Sequence, residues 1–122
     1  MHPTFGNGKI CYIEIPARDI AKSAEFYRRV FGWRVRTDNT GAAAFDDGVG
    51  EVSGMWVLGK TPASPDGLMI HIMCDNVEKT IQLALAEGAG LVQPVGAHPR
   101  EITAQIRDPG GNVIGLYQHR GS

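Results

Sequence analysis

The chain has 122 residues, of which 12 are basic and 13 acidic, so its formal charge at pH 7 is -1. This length suits one domain with a single core, and the balanced charge argues against a nucleic acid or an anionic membrane as partner. No apolar run approaches the roughly 20 residues of a spanning helix, and the N-terminal residues lack a signal-peptide pattern. The sequence therefore predicts a soluble cytoplasmic protein. Cys11 and Cys74 lie in apolar runs, which predicts buried, reduced thiols.

The first half of the chain predicts a strand, a helix and three shorter strands. Residues 9–16 are rich in isoleucine and predict the first strand. Asp19 is a helix N-cap candidate, apolar residues follow it at helical spacing, and Gly32 suits the C-terminal end of that helix. The three further strand candidates are residues 33–36, 42–45 and 53–58.

The second half repeats this order. Residues 68–74 predict a strand, Asp75 an N-cap and Gly88 a helix end. The offset of 56 residues from Asp19 to Asp75 recurs between Gly32 and Gly88, which indicates an internal duplication. The remaining strand candidates are residues 91–94, 102–107 and 113–118.

Each half thus has the pattern βαβββ, and residues 61–67 form a linker between the halves. A unit of about 55 residues makes a marginal core, so the halves should pack as two modules of one domain spanning residues 1–122. Module one covers about residues 8–60 and module two about residues 68–119. The pattern alone leaves open a ferredoxin-like α+β sandwich, although the three-strand tails argue against it.

Two motifs resemble the vicinal oxygen chelate superfamily, which contains glyoxalase I, bleomycin-resistance proteins and extradiol dioxygenases. They are D-x(6)-FY-x(3)-FGW, from Asp19 to Trp33, and the DPxGN turn at residues 108–112. The resemblance covers nearly the whole chain. It implies an α+β fold in which two βαβββ modules form an open U-shaped trough, commonly in a homodimer. In the metal-using members that trough holds one divalent ion.

The resemblance also indicates which residues occupy the metal-ligand positions of the family. These positions fall on Tyr12, Gly54, Met69 and Gly115. None supplies a carboxylate or an imidazole, the groups that bind hard or borderline ions. The sequence therefore predicts no metal site and no other cofactor, and it leaves the metal-dependent chemistry of the family in doubt.

Strand alternation suggests a different reactive group. If Tyr12 and Met69 point into the trough, Glu14 and His71 point there too, because residues two apart share one side of a strand. Glu14 and His71 could then serve together as a general base or as an orienting dyad. A buried structural pair is the alternative reading. A third reading is a shifted metal site, to which Glu51 and Glu101 would contribute.

The leading hypothesis is a trough that binds, or transforms without metal, an apolar or aromatic small molecule. The alternatives are a metal-dependent lyase, isomerase or dioxygenase with shifted ligands, and a non-catalytic interaction domain with Trp33 and Trp56 at its interface. The sequence leaves open whether the protein is an enzyme. Glu14 and His71 are the catalytic candidates, and the predicted trough residues are Tyr12, Gly54, Trp56, Met69, Met73 and Gly115.

Overall fold

A computed structural model describes residues 3–120, and its elements confirm the α+β fold with two βαβββ modules. Neither helix in this part of the chain has the length and apolarity needed to cross a membrane. The first module contains β1 (Tyr12–Pro16), α1 (Ile20–Phe31), β2 (Arg34–Thr37), β3 (Ala43–Asp46) and β4 (Ser53–Val57). The second contains β5 (His71–Met73), α2 (Val77–Ala86), β6 (Gly90–Gln93), β7 (Ile102–Arg107) and β8 (Val113–Gln118).

Each module forms its own four-stranded sheet. The strand order is β1-β4-β3-β2 in the first sheet and β5-β8-β7-β6 in the second. The first and last strands of each module pair in parallel, and the other pairs are antiparallel. β1 and β5 are therefore edge strands, and no strand within residues 3–120 pairs with their outer edges.

Both helices begin at a side chain that caps them. Asp19 accepts a hydrogen bond from the backbone nitrogen of Lys22 at 3.0 Å, as predicted. In the second module the cap is Asn76, which accepts from Lys79 at 3.0 Å, so the prediction of Asp75 is wrong by one residue. Neighbouring Asp and Asn are equally good caps, and the sequence pattern did not distinguish them. The repeat between the two helix starts is therefore 57 residues rather than 56.

Each helix covers one side of its sheet, which we call the helix-facing side, and leaves the other side, the open side, uncovered. Tyr27 of α1 stacks on Trp33 at a ring-centroid distance of 4.7 Å, and Trp33 stacks on Phe45 at 4.5 Å. Trp56 is 1% exposed and lies 4.9 Å from Phe45. Trp56 pairs with the buried Ile15, so both side chains lie on the helix-facing side. The prediction that Trp56 lines the trough is therefore wrong.

The two modules are joined by a buried hydrogen-bond network. The hydroxyl of Tyr27 donates to Asp108 Oδ2 at 2.6 Å, which links α1 to the turn between β7 and β8. Asn112 Nδ2 in the same turn donates to the carbonyl oxygen of Pro16 at 2.7 Å, at the end of β1. Asp108 Oδ1 also accepts from the backbone nitrogens of Gly110 and Asn112. The DPGGN motif thus fastens the second module to the first.

The two thiols differ in exposure. Cys74 is buried, as predicted, and its burial raises the pKa of the thiol. Cys11 is exposed, so the prediction that it is buried is wrong. It directly precedes β1, whose outer edge carries no neighbouring strand within the described part of the chain.

Candidate functional site

Most of the predicted trough residues lie on the open sides of the two sheets or at their edges. Tyr12 is 52% exposed and Glu14 is also exposed, both on the first sheet. His71 and Met73 are exposed on the second sheet, and Met69 precedes β5 and is partly buried. The open side of this single chain therefore offers these side chains to the surroundings rather than to an enclosed cavity.

Glu14 and His71 do not form the predicted pair. Glu14 Oε1 instead accepts a hydrogen bond from Lys60 Nζ at 2.6 Å, and both side chains are about half exposed. Among residues 3–120, no ion pair within 4.0 Å joins Glu14 to His71. A carboxylate bound to a lysine does not orient an imidazole. The hypothesis that Glu14 and His71 act together as a general base therefore finds no support in this geometry.

The glycine at position 115 makes room for the His71 side chain. The parallel register of β5 and β8 places His71 directly beside Gly115 on the open side. A Cβ atom at position 115 would overlap Nδ1 and the neighbouring atoms of that imidazole ring. The space left by the missing side chain is therefore filled by the protein's own histidine.

Gly54 is not the counterpart of Gly115, contrary to the prediction. Gly54 pairs with Ile13 on the helix-facing side, where a Cβ atom would overlap the Ile13 carbonyl oxygen and the Phe45 ring. The true counterpart is Met55, which pairs with Glu14 as Gly115 pairs with His71. The prediction was displaced by one residue, and one residue in a strand reverses the side of the sheet.

The corrected family positions still do not suit a metal ion. They are Tyr12, Met55, Met69 and Gly115, which together offer one phenol, two thioethers and no side-chain donor at all from the glycine. Such donors do not fit divalent ions that prefer oxygen and nitrogen ligands. Within residues 3–120, no group of three or more His, Cys, Asp or Glu side chains is placed to hold a metal.

The two other acidic candidates have local structural roles. Glu51 accepts hydrogen bonds from the backbone nitrogen and hydroxyl of Thr4, each at 3.1 Å, and pairs with Lys9. These contacts, led by the Thr4 backbone, lower the pKa of Glu51. Glu101 is exposed, and its backbone nitrogen donates to His98 Nδ1 at 3.0 Å. Glu51 therefore holds the N-terminal segment, and Glu101 belongs to the loop before β7.

A cavity of about 410 Å³ lies between the first module and the edge of β5, and we call it the seam cavity. Its volume lies within the range of small-molecule sites. Among residues 3–120, Asp47 and His71 are its only ionisable lining residues. The lining residues are Ile13, Phe31, Trp33, Phe45, Asp47, Gly48, Val49, Val52, Ile70, His71, Ile72 and Met73.

The edge of β5 gives the seam cavity polar backbone groups. The three residues of this strand and Ile70, which precedes it, line the cavity although alternate residues point to opposite sides, so the cavity meets the strand at its edge. The carbonyl oxygen of Ile70 accepts from Gly115 on β8 at 2.9 Å. In a parallel pair the intervening residues direct their backbone groups the other way, so those of His71 and Met73 face the free edge.

Asp47 lines the seam cavity, and a hydrogen bond from the backbone fixes one of its carboxylate oxygens. Its Oδ1 accepts from the backbone nitrogen of Glu51 at 2.8 Å, which closes the turn between β3 and β4. Within residues 3–120, no hydrogen-bond donor contacts its other carboxylate oxygen. The sequence pattern did not indicate Asp47, because turns rich in Asp and Gly are common and the ligand site was expected on the open side.

Two βαβββ modules that share buried contacts and border an open cavity of small-molecule size define a duplicated α+β protein. The profile of the Glyoxalase/Bleomycin resistance protein/Dioxygenase superfamily matches residues 9–116. The chain belongs to this superfamily, which confirms the resemblance seen in the two sequence motifs. A search of curated proteins finds no significant match.

Solved structures share the fold at low sequence identity. A glyoxalase/bleomycin resistance protein/dioxygenase family enzyme from Burkholderia phytofirmans PsJN is 22% identical, with a TM-score of 0.71 and coverage of 88% of this chain and 95% of that one. A possible glyoxalase from Bacillus cereus is 20% identical, with a TM-score of 0.71 and coverage of 90% and 98%. TnmS3, an antibiotic-binding protein from Streptomyces sp. CB03234, is 22% identical, with a TM-score of 0.71 and coverage of 94% and 98%.

Proposed function

We propose that the protein binds a planar, largely apolar small molecule in the seam cavity and does so without a divalent metal. The observation that carries this proposal is the cavity itself, whose walls are aromatic and aliphatic side chains with few polar groups. Sites with this composition bind drug-sized molecules by burying apolar surface, and a few polar groups fix the orientation. The antibiotic-binding function of TnmS3, which has the same fold, supports the same class of ligand.

The polar groups of the cavity indicate what the ligand carries besides its apolar body. Asp47 has one carboxylate oxygen available as an acceptor, and the edge of β5 presents backbone donors and acceptors of His71 and Met73. A ligand with an amide, hydroxyl or amino group along one edge would satisfy these groups, while its flat face packs against Phe31, which is partly exposed in the lining. The proposed ligand is therefore a planar molecule with hydrogen-bonding groups on one side.

We propose binding rather than turnover. Glu14 is engaged by Lys60, and no carboxylate among residues 3–120 forms an ion pair with His71. An unpaired histidine still serves as a hydrogen-bonding wall of the cavity. The proposal extends to a homodimer, because large apolar side chains are exposed beside the free edges of β1 and β5. These include Ile10 at 72% and Leu68 at 87%.

A ligand panel with two matched variants tests the binding proposal. The panel contains planar aromatic antibiotics and aromatic amides, measured by thermal shift and by isothermal titration calorimetry. At a ligand concentration about 100-fold above Kd, a true ligand raises the free energy of unfolding by roughly 2.7 kcal/mol. Val49→Phe places a ring in the cavity mouth and should weaken binding at least about tenfold. Leu83→Phe adds the same ring to the exposed face of α2 and should leave Kd unchanged.

The outcomes separate this function from its rivals. Equal affinities for both variants would mean that the ligand binds outside the seam cavity. If no compound of the panel binds, the protein would instead be an interaction domain. Elemental analysis of protein purified without chelator would refute the metal-free proposal if it returned near-stoichiometric nickel, zinc, iron or manganese. Light scattering after size exclusion should give twice the 13.2 kDa of one chain, and a mass of one chain would refute the dimer.

A further inference from the structure

A second cavity, of about 490 Å³, lies where the ends of β1 and β4 meet the linker and the DPGGN turn, and we call it the corner pocket. It shares no lining residue with the seam cavity. In the described part of the chain, two of its lining residues are cationic and none is acidic. The lining residues are Ala17, Arg18, Leu58, Gly59, Lys60, Pro62 and Gly110.

Arg18 lines this pocket, and its guanidinium has no hydrogen-bond acceptor among residues 3–120. Its guanidinium lies against the bare backbone of Gly111, where a Cβ atom would be 2.7 Å from Nη2. Among residues 3–120, no carboxylate or carbonyl oxygen accepts a hydrogen bond from this guanidinium. The adjacent Asp19 is occupied as the N-cap of α1, where it accepts from the backbone nitrogen of Lys22. The planar fork of Arg18 is therefore available to a ligand.

Lys60 supplies a second cation to the same pocket. Its ammonium group has three donors, of which one binds Glu14 Oε1 at 2.6 Å. Asp108, in the turn that closes the pocket, is buried and accepts from Tyr27 and Asn112, so it does not face Arg18 as a partner. The pocket thus combines one unpaired cation with one partly satisfied cation.

The apolar part of the corner pocket also has a use. Leu58 is 56% exposed although it is a large aliphatic residue, and Pro62 and Ala17 complete an apolar wall. A free inorganic ion would need only the cations, whereas a molecule with an apolar body and an anionic group would use both parts. Arg and carboxylate or phosphate groups match in geometry, because two parallel N–H groups reach two oxygens.

We propose that the corner pocket binds the oxyanion group, a carboxylate or a phosphate, of a small molecule. Arg18 donates to two of its oxygens, and Lys60 donates a further hydrogen bond to the same oxyanion group. Leu58 packs against the attached apolar part. This site lies outside the seam cavity and is independent of the function proposed for it. It gives the protein a second binding site of opposite character, cationic rather than acidic at its rim.

Amide NMR titrations with inorganic phosphate and with benzoate test this site. In the wild-type protein, the amide signals of Arg18, Gly59, Gly110 and Gly111 should shift and saturate in the millimolar range with at least one probe. Saturation by phosphate alone assigns a phosphate site, and saturation by benzoate alone assigns a carboxylate site. Each result supports the proposal. Linear, unsaturated shifts with both probes would overturn it.

Two arginine variants separate the pocket from general charge effects. Arg18→Gln should raise Kd at least about tenfold, because a charge-assisted bidentate contact is lost. Arg100→Gln removes the same charge from an exposed loop outside the pocket and should leave Kd within about twofold. Both variants should keep the thermal midpoint of the wild type, since neither side chain is a hydrogen-bond donor within residues 3–120. An equal loss of affinity in both variants would refute the site.

Discussion

The bond between Tyr27 and Asp108 gives the sharpest prediction about how the two modules hold together. Tyr27→Phe removes a hydroxyl that is fully buried and donates to a buried carboxylate at 2.6 Å. Hydrogen bonds to charged groups contribute roughly 1.5 to 3 kcal/mol. Asp108 Oδ2 keeps a second donor, Asn112 Nδ2 at 2.9 Å, so the carboxylate is not left bare. We expect a loss of about 2 kcal/mol in the free energy of unfolding.

This loss is measurable in two ways. For a chain of this size it corresponds to a fall in Tm of roughly 6 to 10 °C. Urea denaturation followed by far-UV circular dichroism gives the free energy directly. Tyr12→Phe is the matched control, because Tyr12 is half exposed and no residue among 3–120 shares a hydrogen bond with its hydroxyl. Equal urea midpoints for the two variants would refute the stabilising role of the Tyr27 hydroxyl.

The pH dependence tests the same bond independently. Burial, and then the charge of Asp108, raise the pKa of Tyr27 well above its ordinary value of 10.0. The unfolded chain therefore loses this proton first, so the stabilisation is complete below pH 10 and is lost as the pH rises above it. Tyr27→Phe has no such proton. The stability difference from the wild type should narrow above pH 10, by up to about 1.4 kcal/mol per pH unit.

Three further substitutions test the register and the surface charges. Gly54→Ala should cost about 3 kcal/mol in urea denaturation, because the new methyl group would overlap a backbone oxygen and an aromatic ring. Gly115→Ala should cost under about 1 kcal/mol, because it meets only a movable imidazole, and a loss as large as that of Gly54→Ala would contradict the assigned register. The pKa of Glu25 is lowered from 4.5 to about 2 by Arg28 and then Arg29. The stabilisation by the Glu25 carboxylate is present above pH 4.5 and lost as the pH falls toward 2. Glu25→Gln should therefore lower the urea midpoint at pH 7. A difference in midpoint between wild type and variant that persists at pH 2 or in about 1 M salt would refute the ion pairs.

Local patterns were sufficient to predict the fold. The helix caps, the glycine helix ends and the repeated order of elements each depend on residues close together in the chain. Asp19 and Gly32 fulfil their predicted roles, and Gly32 adopts the left-handed conformation with φ of 70°. The duplication followed from the same short-range signals, because each module repeats them.

The side of each strand was harder to predict, because it depends on pairing between distant residues. The parallel register of β1 with β4 determines where Gly54 and Trp56 point. The family resemblance put the ligand position on Gly54 instead, and that choice placed Gly54 and Trp56 on the wrong side of the sheet. The repeat of 57 residues aligns Glu14 with His71. In the structure Glu14 pairs with Met55 and His71 pairs with Gly115, so the residue equivalent to Gly115 is Met55 rather than Gly54.

The cavities could not be predicted from the sequence for a related reason. Each is lined by segments that are distant in the chain and that come together only at the junction between the modules. The seam cavity joins β5 to the aromatic residues of the first module, and the corner pocket joins residues after β1 and β4 to the DPGGN turn. The same turn carries Asp108 and Asn112, which bind Tyr27 and Pro16. Loosening that junction would alter both cavities, so Tyr27→Phe should weaken ligand binding at sites that its own side chain does not line. Unchanged affinity in a destabilised variant would show that the cavities keep their shape without this bond.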